Sequence, residues 1–429
     1  MTRRHLSLTA AAVTALAAVA VTAALAVRWG GLPLGLEHDR RVFARVIAYN
    51  VQNLFDGTDH GLEYAEFRTS SGWDRGDYYD RLERTSEAIR RTAGGRLPDI
   101  VVLSEVESAW VAADLARDLL RPYRWVSGAP EPWRAARRER TSDIRDEASS
   151  APGAARPGIR GGGAVLDATA YPPSPTRVVA LSRRRPEVRT HRAVQVDLVP
   201  GAGARVRWRG REALELRFAS RGLRLIAAHW KSQSGGERAT EPLRILEASL
   251  VHDLLAVTAD AEADYPATLL VGDLNEGLDE EKQHGGAWPT ALAPWRASEA
   301  VPAGAEVQGA DTSGSSPAAE SGPAARIWFV EADTPGAVGA TRAAPPGPVF
   351  RTLWDRSSFP GTYWYRGEWE RLDHAFLLAP DEYDGRIEVG SWGALLNPDG
   401  TPARYDSRRG RGYSDHLPIL VTLTRRPAP

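Results

Sequence analysis

The sequence of 429 residues contains no cysteine and only one methionine. The absence of cysteine excludes disulfide bonds, thiolate metal sites and cysteine nucleophiles. It leaves the cellular compartment open. Any chemistry that the chain performs must therefore use other side chains.

Lysine and excess charge are also scarce. The only lysines are Lys231 and Lys282, so nearly all of the 54 basic residues are arginine. Arginine can bind phosphate in a bidentate manner, but genome composition explains this bias more simply. The formal net charge is −1, so the chain lacks the strong positive charge typical of nucleic-acid-binding proteins. Any affinity for phosphate groups must be local.

One long apolar run occurs, over residues 6–27, and it follows Arg3, Arg4 and His5. Its length approaches the roughly 20 residues that span a bilayer, so residues 1–30 are predicted to be a signal peptide or an N-terminal membrane anchor. Residues 2–8 resemble a twin-arginine export signal, and residues 24–26 could form a cleavage site. Both alternatives predict an exported protein, extracellular, periplasmic or anchored to the membrane.

The remaining length suits one large domain, predicted over residues 43–426. Two stretches rich in Ala, Gly and Pro, residues 130–163 and 296–348, are predicted low-complexity insertions because neither has enough apolar content for its own core. The first contains Trp133 and several arginines; a solvated charged segment is favoured there over a phosphate-binding patch. We expect a monomer.

Apolar spacing predicts the fold class. Short apolar runs bounded by Gly, Pro or polar residues predict buried strands, several of them in succession over residues 178–228. Helical spacing occurs after the first two predicted strands and over residues 241–255, where Thr240 and Pro242 are predicted as N-cap and first-turn residue. The pattern predicts an α/β protein with two packed mixed sheets flanked by helices.

Polar residues follow the predicted strands at their ends, where sheet proteins place their chemistry. They come after the apolar runs 46–49, 100–103, 225–228 and 269–272, inside the segment 371–376, and before the last strand. These polar residues are Asn50, Glu105, His229, Asp273, Asn275, Asp373, Asp415 and His416.

In this order the chain resembles the endonuclease/exonuclease/phosphatase superfamily, which includes deoxyribonuclease I, abasic-site endonucleases, inositol polyphosphate 5-phosphatases and neutral sphingomyelinases. More narrowly it resembles the bacterial extracellular-nuclease-like branch. The segments that carry the resemblance are YNVQNLFD (49–56), HWKS (229–232), GGE (235–237), GTYWYRG (361–367), RLDHAF (371–376) and GYSDHLPI (412–419). The family's fold is a four-layer α/β sandwich.

A carboxylate at the end of a buried strand needs a partner, and this makes Glu105 the best candidate metal ligand; an ion pair with an arginine is the alternative. The resemblance implies that Asn50 and Asp415 complete the site. Oxygen ligands favour Mg²⁺ or Mn²⁺, with Ca²⁺ as a further candidate. Gln52 stands where the abasic-site endonucleases have an acidic residue, so we expect one essential metal.

His416 is the predicted general base, and the resemblance implies that Asp373 orients it. A single histidine before a strand is usually structural, but the paired Ser-Asp-His and Leu-Asp-His segments favour catalysis. By alternation along a strand, His374 should point to the opposite face.

The other polar residues are predicted to act on the phosphate. Asp273 and Asn275, two residues apart, should face the same way; the resemblance implies that Asp273 positions water or supplies a proton and that Asn275 bonds the phosphate. For Asn275 a turn is the alternative. His229 would be the second imidazole.

Three basic residues are weaker candidates for substrate phosphate: Lys231, and Arg189 and Arg192, for which a surface role is equally expected.

The leading hypothesis is a metal-dependent phosphodiester hydrolase, an exported nuclease acting on DNA or RNA. A phosphatase or lipid phosphodiesterase with a phosphorylated small molecule or lipid as substrate is the second. An inactive binding module is the third, and the full set of acidic and histidine residues disfavours it.

Overall fold

The structure is a computed structural model. It divides the chain into two units, Met1–Val42 and Phe43–Pro429, and the fold is that of the second unit. The residues that it describes are 42–61, 63–126, 175–199, 203–256, 265–294, 326–330, 348–354 and 357–426.

Strands dominate the described residues. The helices are α1 (Arg75–Thr92), α2 (Ala109–Asp114), α3 (Glu237–Ala256) and α4 (Glu280–Gln283). The strands are β1 (Val42–Leu54), β2 (Ile100–Val106), β3 (Trp125–Val126), β4 (Arg177–Ser182), β5 (Glu187–Val199), β6 (Gly203–Phe218), β7 (Leu223–His229), β8 (Ala267–Asp273), β9 (Leu292–Pro294), β10 (Ile327–Val330), β11 (Val349–Thr352), β12 (Tyr363–Tyr365), β13 (Glu368–Glu370), β14 (Asp373–Leu378), β15 (Tyr383–Val389) and β16 (Ile419–Arg425).

These strands form two large sheets and a small hairpin. Sheet A has the order β15-β16-β1-β2-β4-β3, and sheet B has the order β5-β6-β7-β8-β14-β11-β10-β9. Both sheets are mixed: β1 and β2 run parallel, as do β7 and β8, whereas β2 and β4 run antiparallel, as do β8 and β14. The hairpin pairs β12 with β13.

Side-chain alternation along the strands explains how the sheets pack. Val46 and Ala48 of β1 join one apolar cluster with Leu225 and Ala227 of β7, which lies between the sheets. Ile47 and Tyr49, which alternate with Val46 and Ala48 along β1, join a second cluster with residues of α1 and α2. Ile226 and Ala228 join a third cluster with α3. The predicted α/β fold of two packed mixed sheets flanked by helices is confirmed.

The predicted helices are present, with one boundary corrected. Asp74 caps α1 in a capping box with Asp77. Helix α3 begins at Glu237, so Thr240 and Pro242 lie inside it and the predicted N-cap was wrong. Thr240 donates its N–H to Gly236 O over 3.0 Å, which shows that the first turn already precedes it.

The second predicted insertion contains a strand. Ile327 and Phe329 of β10 are buried in the third cluster, since a four-residue apolar segment suffices to pair in a sheet already formed. The rest of that stretch, apart from residues 326 and 348, lies outside the described residues, as do residues 130–163 and 1–30. Within the described ranges, no helix combines the length and apolarity needed to cross a membrane.

Candidate active site

Polar side chains from both sheets gather at one cavity of about 620 Å³. Its lining includes residues from the ends of β2, β8 and β16, together with the segment 232–237 and the β12–β13 hairpin. The predicted site residues that line it are Glu105, Asp273, Asn275, Asp415 and His416. Asn50, His229 and Asp373 contact these residues from behind.

Strand register brings three of these residues side by side in sheet B. His229 is opposite Asp273 in the β7–β8 pair, and Asp273 is opposite Asp373 in the β8–β14 pair. Gly272 permits this arrangement: its φ is +140°, and a Cβ there would lie 2.0 Å from Ala228 O. A side chain at position 272 would therefore push β7 and β8 apart next to the site.

His416 and Asp373 form a buried imidazole–carboxylate pair. The distance from His416 Nδ1 to Asp373 Oδ2 is 2.7 Å, and His416 Nε2 lies 3.8 Å from Asp273 Oδ2. Burial lowers the pKa of His416, but Asp373 and Asp273 outweigh it and raise that pKa well above 6.5. Burial raises the pKa of Asp273 to about 7. In the metal-free protein, His416 therefore keeps its proton to higher pH than a free imidazole does, while Asp273 titrates near neutral pH.

Glu105 reaches the cavity because β2 is irregular there. The pairing of β2 with β4 shifts between Leu103 and Val106, and Glu105 has a φ of 63°. Its Oε2 accepts from Asn53 N at 3.0 Å, and its Oε1 accepts from Asn50 Nδ2 at 3.1 Å. Sequence alternation alone would not have placed this carboxylate.

Asn50 connects the two sheets at the site. Its Nδ2 also donates to Asp273 Oδ2 at 2.8 Å, and its Oδ1 accepts from Gln52 N at 2.9 Å. The amide nitrogen, rather than the oxygen, thus faces Glu105. Ligation of a metal through the oxygen requires the amide to rotate by half a turn.

Gln52 uses its whole side chain to hold the loop before β16. Its Oε1 accepts from Tyr405 N at 2.9 Å and from Asp415 N at 3.0 Å, and its Nε2 donates to Tyr405 O at 3.1 Å. A carboxylate at position 52 could not donate to Tyr405 O. Gln52, which stands where the abasic-site endonucleases have an acidic residue, thus has a structural role.

Asn275 and His374 each have a side-chain nitrogen that contacts a backbone carbonyl near the site. Asn275 N donates to Asp273 Oδ1 at 3.0 Å, while its Nδ2 donates to Trp230 O at 3.1 Å. His374 is fully buried and its Nε2 lies 2.7 Å from Glu276 O. Burial lowers the pKa of His374 to about 4, in keeping with its predicted position on the opposite face.

His229 has a cationic neighbour that the sequence did not indicate. Arg211 hydrogen-bonds both His229 Nε2 and Trp230 O. It enters the site where the pairing of β5 with β6 shifts, between Arg192 and Val194. Burial lowers the pKa of His229 well below 6.5, and Arg211 lowers it further. His229 is therefore neutral and accepts from Arg211.

The weaker phosphate candidates are not among the residues that line the cavity. Arg189 pairs with Glu187 at 2.7 Å and Arg192 with Glu212 at 2.7 Å, both on exposed strand surface, which favours their surface role. Lys231 Nζ donates to Ser232 O at 2.8 Å. The cavity instead presents Tyr363, Tyr365 and Arg366 of the hairpin, which belong to the GTYWYRG segment of the resemblance but were not predicted as site residues.

Backbone strain concentrates at this site. A positive φ is uncommon for residues other than glycine and often marks functional positions. The non-glycine residues that have one in the described ranges are Gln52, Asn53, Glu105, Asn275 and Arg366.

The donor set fits a hard divalent cation. Glu105 and Asp415 both present carboxylates to the cavity and remain partly exposed, and carboxylate oxygens are preferred ligands of Mg²⁺. The cavity offers no thiolate, because the sequence has no cysteine. The predicted preference for Mg²⁺, Mn²⁺ or Ca²⁺ agrees with this chemistry.

Two packed mixed sheets with Asn, Glu, Asp and His side chains gathered at one edge define the class as an α/β sandwich of the deoxyribonuclease I type. The chain belongs to the endonuclease/exonuclease/phosphatase family, whose model matches residues 47–416. No curated protein sequence matches the chain. The narrower resemblance to the bacterial extracellular-nuclease-like branch stays a prediction.

The solved structures that the chain is similar to are distant in sequence. Truncated TDP2 of Caenorhabditis elegans is 14% identical, with 89% of this chain and 97% of that chain covered and a TM-score of 0.38. A beta toxin variant of Staphylococcus aureus with bound magnesium ions is 11% identical (88% and 99% covered, TM-score 0.41). An endonuclease/exonuclease/phosphatase of Bacteroides vulgatus is 12% identical (89% and 99% covered, TM-score 0.39).

Proposed function

We propose that the chain is a metal-dependent phosphodiester hydrolase that cleaves DNA or RNA. The observation that carries this proposal is the His416–Asp373 pair at 2.7 Å, with His416 Nε2 directed toward Asp273 at the cavity. Membership of the family supports phosphoric ester hydrolysis.

His416 is the general base in this proposal. In the neutral form of His416, Asp373 accepts the Nδ1 proton, which leaves the Nε2 lone pair for a proton of the attacking water. Asp373 and Asp273 favour the charged imidazole in the metal-free protein, and the positive charge of a bound divalent cation would shift the balance back to the neutral form. Asp273 positions that water or returns a proton to the leaving oxygen, and its pKa of about 7 suits proton exchange at neutral pH.

The phosphate is held by neutral and cationic groups. Asn275 would hydrogen-bond a phosphoryl oxygen, and Arg211, which His229 holds as its acceptor, would add positive charge. His229 itself would donate to the phosphate only in a tautomer that gives up the bond from Arg211. When bound by Glu105 and Asp415, with Asn50 through its amide oxygen, Mg²⁺ supplies polarisation of a phosphoryl oxygen.

Nucleic acid is the substrate that the rim favours. Tyr365 is 47% exposed and, like Arg366, lines the cavity. Aromatic faces stack on bases, and a neighbouring arginine can contact the backbone phosphate. We further propose, from the apolar segment of residues 6–27, that the enzyme acts after export.

Hydrolysis assays test the proposal. The full chain, beside His416→Ala, is given supercoiled DNA, RNA, bis(p-nitrophenyl) phosphate and sphingomyelin, with Mg²⁺, Mn²⁺ or a chelator. We expect metal-dependent cleavage of DNA or RNA, reduced about 10²- to 10⁴-fold in His416→Ala. His252→Ala is the matched control, because His252 lies on α3 and contacts Arg326 O.

Cleavage of sphingomyelin or the small ester with intact DNA and RNA would replace the nuclease by the lipid phosphodiesterase or phosphatase. Full activity of His416→Ala would remove His416 as the base. A protein that cleaves nothing, with circular dichroism showing it folded, would be a binding module.

A further inference from the structure

A second cluster of ligand-type side chains lies beside the candidate active site. Glu237, Glu280 and His284 each offer one ligand atom, and these atoms lie within 4.8 Å of one another. Glu280 opens α4, and His284 caps its C-terminus, where the His284 N–H donates to Glu280 O at 3.0 Å, so the two residues lie one turn apart. Glu237 begins α3. The cluster thus joins two helices.

Glu280 has a buried oxygen with no partner. The residue is 6% exposed. Both of its hydrogen bonds go to Oε1, from Gln233 Nε2 at 2.5 Å and Gly277 N at 2.8 Å, whereas Oε2 is buried without any partner among the described residues. Burying a carboxylate oxygen without a hydrogen-bond partner lowers the stability of the fold unless a cation or a proton balances its charge.

The surrounding charges do not balance Glu280. Glu241 and Glu276 are also buried, and Arg244 pairs with both of them. Glu280 makes no ion pair with a lysine or arginine in the described part of the chain. Negative charge is thus in excess at this place.

His284 is held in position for ligation. Its ring stacks on Trp288 with centroids 4.0 Å apart, and its Nε2 hydrogen-bonds Glu237 Oε1. The side chains of His284 and Glu237 are 17% and 34% exposed, so an ion and its water ligands can reach them from solvent. Because His284 Nε2 and Glu237 Oε1 already face each other, both atoms can bind the same ion.

We propose that Glu237, Glu280 and His284 bind a divalent transition-metal ion, with Zn²⁺ as the best fit. Two carboxylates and a neutral imidazole match its charge and its usual ligands, and three protein ligands leave a position for water. The imidazole nitrogen disfavours Mg²⁺ and Ca²⁺, which prefer oxygen ligands. This site is separate from the oxygen ligands proposed for catalysis and does not rest on the hydrolase activity.

The ion would stabilise a wall of the cavity. Gln233 Nε2 donates both to Glu280 Oε1 and to Asn275 O, the latter at 3.2 Å. The segment 232–237, which ends in the ligand Glu237, lines the cavity. Binding at the cluster would therefore fix this segment against α4 and raise the melting temperature of the chain.

Isothermal titration calorimetry of the metal-free full chain with Zn²⁺ tests the site. We expect one equivalent to be lost, or weakened at least about 100-fold, in Glu280→Gln and in His284→Ala; loss of a mere outer-shell partner costs 10- to 100-fold. Glu281→Gln, on the same helix and paired with Arg326, should keep this equivalent. Glu105→Gln should keep it too, because Glu105 belongs to the other site.

Thermal unfolding gives a second reading. Zn²⁺ should raise the melting temperature of wild type and Glu281→Gln more than that of His284→Ala. Unchanged Zn²⁺ stoichiometry and affinity in both Glu280→Gln and His284→Ala would overturn the proposal. If Glu280→Gln fails to fold, His284→Ala decides the matter, since its partly exposed side chain can be truncated with little loss of packing.

Discussion

Three buried histidines of this chain differ in protonation because their neighbours differ. Two carboxylates surround His416 and raise its pKa, whereas burial and Arg211 lower the pKa of His229. His374 meets mainly backbone, and burial lowers its pKa to about 4. The residue type alone does not assign a role; the charges within a few ångströms do.

At the residue scale, Asp273→Asn should lower the pKa of His416, because it removes one of the two carboxylates that raise it. The imidazole titration is followed by NMR on the metal-free protein. Asp253→Asn, an exposed change on α3, should leave that pKa as it is. The same pKa in Asp273→Asn and wild type would show that Asp273 does not act on His416.

At the element scale, the site depends on where strands cease to be regular. The β1–β2 pairing is regular from Val46 to Asn50 and then shifts before Leu54, next to Gln52 and Asn53 with positive φ. Irregular pairing re-aims side chains that strict alternation would send elsewhere. The end of β2 thus directs Glu105 toward sheet B, whereas Asn50 faces sheet B by ordinary alternation with Val46 and Ala48.

The close approach of β7 and β8 at Gly272 leads to a prediction about the stability of the fold. Gly272→Ala should destabilise the fold by about 2–4 kcal/mol, because its Cβ would overlap Ala228 O at a φ that disfavours alanine. Urea unfolding measures the change. Gly393→Ala is the control, since nothing lies within 4 Å of its added Cβ, and equal stability of the two variants would contradict the tight approach.

Sequence patterns predicted the strands, the helices and the polar residues at strand ends, because apolar periodicity reflects burial directly. They could not predict Arg211, since a shift in β5–β6 pairing brings it to His229. The predicted start of α3 was wrong because a threonine can also lie inside a helix, where Thr240 Oγ1 donates to Gly236 O at 2.9 Å. Nor could any pattern show that Gln52 bonds backbone 353 residues away.

At the scale of the whole molecule, buried acids set how stability varies with pH. Burial raises the pKa values of Glu247 and Asp273 to about 7 and of Glu280 to about 8. Acids with folded pKa values above their unfolded ones stabilise the fold while protonated, and this contribution is lost as pH rises through the folded pKa. His229 and His374 act in the opposite sense, but only below about pH 6.5.

The free energy of unfolding of the chelated protein should therefore fall between pH 6.5 and 8, by on the order of 1–3 kcal/mol. Urea titrations at several pH values in this window measure it. Glu247→Gln should give a shallower fall, and Asp253→Asn on the same helix an unchanged one. Stability that rises with pH across the window would show that these acids are already ionised in the fold.

The order of sheet A sets when the candidate site can first assemble during synthesis of the chain. Strand β16, near the end of the chain, lies between β15 and β1, the first strand. Buried Arg81 also hydrogen-bonds the carbonyls of Val51 and Tyr413, which ties Asn50 to His416. Asn50 and His416 can therefore meet only after β16 has been synthesised, so the candidate site assembles late, when the first and last strands of the described fold pair.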